Sequence, residues 1–169
     1  PGIKNVSLVV TDKGSPAKSS APATLQVFPG NAAPTATIVV TNTTALSRTQ
    51  YYAGDSWTFG ATNLSDDQAL PPNALQWSVI FHHDTHTHPF LSGVSGITGT
   101  FQIPTIGEID PDVWYRVTLD VTDAQGQMAT FTKDVFPVTT TVAINSSPPG
   151  ALMQIDADVH TAPFTVTRV

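Results

Sequence analysis

The chain has 169 residues, 40% of them hydrophobic and only 12% charged, with a formal net charge of −6 and a pI near 5.0. That size can bury a real core and hold one complete domain plus extra pieces, while an acidic balance with no Lys/Arg cluster excludes nucleic acid and anionic lipid as partners. Zero cysteines exclude a disulfide framework and a thiol nucleophile, and no window approaches the roughly 18 consecutive apolar residues of a spanning helix, so no membrane segment is expected.

Thr, Ser, Val, Pro and Gly stand where helical proteins carry Leu, Glu and Lys, which predicts an all-β fold. Val6 to Asp12 alternates, meets a turn at Lys13-Gly14-Ser15-Pro16, and is followed by a second strand from Thr24 to Phe28, ended by Pro29-Gly30. The same grammar returns in Val117 to Asp123, a turn at Ala124-Gln125-Gly126, and a strand from Met128 to Val135 closed by Phe136-Pro137. Residues 1–30 therefore read as the last hairpin of a preceding module, and the start at Pro1 suggests upstream sequence.

Residues 31–139 read as one β-sandwich. Its expected strands are Thr35 to Thr41, Ser56 to Ala61 with Trp57 and Phe59 inward, the Trp77 strand, Thr100 to Ile103, and Val113 to Asp123. A turn at Tyr51 to Asp55, a Gly-rich turn at Ser92 to Gly99 and two acidic loops, Asn63 to Pro72 and Gly107 to Asp112, punctuate them. The predicted core includes Trp57, Phe59, Trp77, Val79, Phe101, Tyr115, Val117 and Leu119. Residues 140–169, with a Pro-Pro-Gly turn, predict a hairpin and a third strand of another small unit.

The run Leu75 to Phe90 carries four of the five histidines. Trp77, Val79 and Phe81 set an inward parity. Continued through the run, the parity places His82, Asp84, His86 and His88 on one face and His83, Thr85 and Thr87 on the other, with Pro89 closing the strand because proline cannot donate to a central ladder. Imidazoles two apart on one face, with a carboxylate, suit Zn²⁺ or Cu²⁺, and His86 with His88 is the leading pair. The competing reading is a polar loop whose histidines bond to backbone around Asp84.

Asp66, Asp67, Glu108, Asp110 and Asp112 are candidate Ca²⁺ ligands if the sandwich brings their two loops to one end; otherwise they are solvated turn residues. Trp114 is out of phase with Tyr115 and Val117, so its ring is expected at the surface, a platform for a sugar with Tyr51 or Tyr52 beside it, or else packed under a neighbouring loop. No nucleophile elbow supports a Ser/His/Asp triad, and the acids lie in loops rather than on facing strands, so neither catalysis nor an organic cofactor is expected.

Ala33-Pro34-Thr35-Ala36, Ala53-Gly54-Asp55, Trp77 and the run Tyr115 to Gly126 together resemble the PKD-like, immunoglobulin-type modules of secreted bacterial proteins, over residues 33–138. The run Trp77 to Phe90 with Asp112 to Arg116 resembles a module found C-terminal to glucose/sorbosone dehydrogenase-type propellers. Residues 141–167 are similar to PEGA-type β-units. The usual PKD motif continues Trp-Asp-Phe-Gly-Asp-Gly after its tryptophan; here the histidine segment stands instead. The resemblance implies a non-catalytic, extracellular accessory module of a larger sugar- or polysaccharide-acting protein, with polysaccharide or neighbouring domains of the same polypeptide as partners. It also implies a tyrosine corner at Tyr115. Two alternatives stand beside it: a carbohydrate-binding module, and a structural subunit that self-associates through its incomplete end modules.

Overall fold

The computed structural model describes residues 2–156 and 158–169. Among the described residues the regular structure is all strand: β1 (Lys4–Leu8), β2 (Ala23–Val27), β3 (Thr35–Asn42), β4 (Ser56–Ser65), β5 (Leu75–His83), β6 (His86–Ser95), β7 (Thr98–Gln102), β8 (Val113–Thr122), β9 (Met128–Val135), β10 (Thr140–Ile144), β11 (Leu152–Ile155), β12 (Asp158–Thr161) and β13 (Phe164–Arg168).

The central domain is a sandwich of a three-stranded sheet, β3-β4-β7, and a four-stranded sheet, β6-β5-β8-β9, every pairing antiparallel. Period-two alternation builds it. In β8, Val113, Tyr115, Val117, Leu119 and Val121 are buried, while Trp114, Arg116, Thr118, Asp120 and Thr122 are half-buried. Trp57 and Phe59 from β4 and Phe101 from β7 meet Trp77 and Val79 from β5, with the Phe59 and Trp77 rings 4.7 Å apart. All eight predicted core residues are buried. Burying such aromatic rings contributes much of the stability, at roughly 25 cal/mol for each Å² of apolar surface removed from water.

One buried polar cluster fixes the turn before β4. The fully buried Asn42 donates from Nδ2 to Asp55 Oδ2 at 2.8 Å and accepts from the backbone N–H groups of Thr44 and Ala45. Arg48 pairs with the other Asp55 oxygen at 2.8 Å, and Asp55 Oδ2 also accepts from the Tyr52 N–H. A carboxylate so fully satisfied can be buried at little cost.

Several strand expectations change, and the turn expected over Ser92 to Gly99 narrows to Gly96 and Ile97 between β6 and β7. Pro89 does not end the histidine strand: β6 runs on to Ser95, because it is the outer strand of its sheet and an edge strand tolerates a residue without an N–H. The terminal unit has four strands rather than three, paired as two ribbons, β10 with β13 and β11 with β12. Residues 4–27 form the expected hairpin, extended past β1 by a bridge between Thr11 and Ser19.

Candidate metal centre

β5 and β6 are joined by a two-residue turn, Asp84-Thr85, in which Asp84 adopts φ 47°. This left-handed conformation is one that aspartate tolerates better than most residues. The Asp84 N–H donates to the Asp112 carbonyl at 3.2 Å, which ties the turn to the loop before β8. Cross-strand partners share a face, and the register pairs His83 with His86 and Phe81 with His88. His83, His86 and His88 therefore stand together just beyond the aromatic core, His83 half-buried and the other two exposed, with one ligating atom from each lying within 4.8 Å of the others.

His83 Nδ1 is 3.3 Å from His86 Nε2. That separation matches the roughly 3.3–3.4 Å edge of a tetrahedron whose centre lies 2.0–2.1 Å from each nitrogen. The opposite nitrogen of His83, Nε2, is 3.4 Å from Glu108 Oε2 and 3.6 Å from Asp84 Oδ2. Both carboxylates place negative charge beside the His83 ring nitrogen that faces away from His86. Three imidazoles so grouped could hold a metal ion.

This corrects the expected ligand set. Reversal at Asp84-Thr85 restarts the parity, so the pair His86 and His88 gains His83 instead of His82, and Asp84 stands behind His83 rather than beside the three nitrogens. His82 lies on the opposite face, its ring stacked 4.5 Å from that of Trp114. Its pKa is held below the usual imidazole range, first by burial and then by the Arg116 charge, with Asp134 pulling weakly the other way. The cross-strand logic that identifies His83 needs only the position of the turn.

Trp114 is half-buried between His82 and Phe136, whose ring centre is 6.2 Å away. It follows the packed reading rather than that of an open sugar platform. Its proposed helper Tyr51 is a core residue with 4% exposure, bridged through its backbone to Pro137, and only Tyr52 is at the surface. Tyr115 packs edge-on against Tyr51 at 5.3 Å and walls a cavity.

The two acidic loops do not meet. Leu75 pairs with Val121 at one end of β5 and His83 with Val113 at the other, so the loop before β5 and the loop before β8 lie at opposite ends of the sandwich. Asp66 accepts from the Gln68 N–H and Asp110 from that of Asp112, as turn residues do, while Asp67 accepts from the N–H of Ala32, far away in sequence. Among the described residues, the group of three or more side chains with metal-ligating geometry is that of His83, His86 and His88.

Compared with known proteins, the chain matches no family model, no curated protein and no solved structure. The class defined by fold and site is an all-β sandwich module carrying a three-histidine group that could hold a metal ion.

Proposed function

We propose that the chain is a non-catalytic accessory module of a larger extracellular protein acting on sugars or polysaccharide, PKD-like in its centre and PEGA-like at residues 140–169. Its specific task in this reading is to hold one Zn²⁺ or Cu²⁺ ion at His83, His86 and His88. The observation that carries the metal reading is the placement of three imidazoles on one face of a two-residue hairpin, with Glu108 and Asp84 behind His83. The PKD-like runs Ala33 to Ala36, Ala53 to Asp55 and Tyr115 to Gly126, with the PEGA-like residues 141–167, support the rest.

Protons compete with the ion for imidazole nitrogen, so binding weakens as pH falls. An ion bound only by the folded state stabilises it by about 2.7 kcal/mol at a hundredfold excess over Kd. Zn²⁺ or Cu²⁺ is expected to raise the melting temperature at pH 7.5 and not at pH 5. His83→Ala, or His86→Ala with His88→Ala, removes the shift, and His82→Ala keeps it. Identical melting with metal, with chelator and in these variants rejects the site; loss of the shift in His82→Ala alone restores the other face.

The terminal hairpin favours a second reading, self-association through the end units, because Val6, Leu8, Val10 and Leu25 are each more than half exposed. Light scattering that finds a strict monomer at high concentration counts against it.

A further inference from the structure

A cavity of about 300 Å³ lies under the loop before β8, walled by Tyr51, Tyr52, Phe81 and Tyr115 together with Ile103 and Glu108. Its aromatic walls are set at different angles: Tyr51 and Tyr115 meet edge-on at 73°, and Phe81 and Tyr115 are tilted by 43° with centroids 5.0 Å apart. Among the described residues, Glu108 is the charged one of its lining, which includes no Lys, Arg or His. Aromatic faces carry negative potential, and the attraction they exert on a cation grows as water is removed. Burial raises the Tyr115 phenol to about 12 and pushes that of Tyr51 higher still, so both rings stay neutral in a desolvated setting. Tyr52 already takes a cation on its ring, the Arg48 guanidinium at 4.5 Å, although Arg48 is not part of the cavity wall.

We propose that this cavity binds a compact alkylammonium group, a quaternary or methylated amine, held by the four aromatic walls with Glu108 as its counter-charge. An anion is disfavoured by Glu108 and by the lack of a basic side chain among the described lining residues. A buried cation needs a paired charge, and Glu108 provides it at the rim, where its side chain is 35% exposed. The volume is at the small end for ligand sites, which suits a headgroup rather than an oligosaccharide. The aromatic walls other than Phe81 lie apart from the histidine group, but the two sites share Glu108, which is 3.4 Å from His83 Nε2, so the cavity is tested without metal.

The test uses the full chain in chelator, titrated with choline and separately with its neutral tert-butyl analogue, and read by NMR shifts of the aromatic side chains and by calorimetry. Choline is expected to shift Tyr51, Tyr52, Phe81 and Tyr115 resonances saturably, and the neutral analogue to bind about tenfold more weakly. Glu108→Gln should weaken choline several-fold while leaving the analogue unchanged, and Tyr52→Ala, at a half-exposed position, should weaken choline with the fold intact. Equal affinity for the two probes overturns the cation assignment. Absence of saturable shifts with choline up to about 10 mM overturns the site.

Discussion

Trp77 lies between the sheets with 1% of its surface exposed, and its indole N–H donates to the Gly96 carbonyl at 2.8 Å. Truncation to alanine removes a ring from a packed interior together with that hydrogen bond, so Trp77→Ala is expected to cost about 3–5 kcal/mol by urea unfolding. A loss under about 1 kcal/mol would mean that the residue is not in the core. Across the interface, a Cβ built at Gly99 would collide with the Phe59 ring, so Gly99→Ala forces that ring to move and costs about 1–3 kcal/mol. His82 supplies a pH test. Its folded pKa is depressed, so the stability it contributes is complete above the unfolded value of about 6.5 and is lost as pH falls through the folded value. In metal-free protein its NMR titration midpoint is expected below 6.5, and a midpoint above that value contradicts its stacked, Arg116-facing position.

The β5–β6 hairpin determines which histidines act together. Exchanging neighbours, Thr87→His with His88→Thr, preserves composition but moves one imidazole beside His82, its cross-strand partner row. Metal-dependent stabilisation should fall at least about tenfold in affinity while the metal-free melting temperature holds within a few degrees; retained affinity would show that the third ligand is not His88. Strand alternation made the core legible in the sequence, because Trp57, Phe59, Trp77, Val79 and the odd positions of β8 each report their face locally. The turn was not legible. Asp84-Thr85 lacks the Asn-Gly or Asp-Gly signature of two-residue hairpins, so the parity ran straight through it and selected His82. Pro89 added to the error, since edge status depends on β8 occupying the other side of β5, a contact far away in sequence. The separation of the acidic loops has the same non-local origin.

The units of the molecule bury themselves unequally. Val79, Val117, Leu119 and Val121 have no exposed surface, whereas Leu8 and Leu25 are 63% and 64% exposed in a hairpin of two strands, a size marginal on its own in water. Hydrogen exchange should therefore release the β1 and β2 amides orders of magnitude faster than those of β5 and β8. Equal protection would reveal a second copy or partner covering the hairpin. The outer strand of the large sheet is different. β6 is ten residues long, yet its register against β5 shifts twice between Trp77 and Ile80, Pro89 presents no N–H, and Gly93 takes φ 70°. An extending chain would need an unbroken row of donors and acceptors, and this strand does not supply one. That flank is a finished border, like a selvedge on cloth: it offers a foreign strand no continuous ladder on which a fibre could grow.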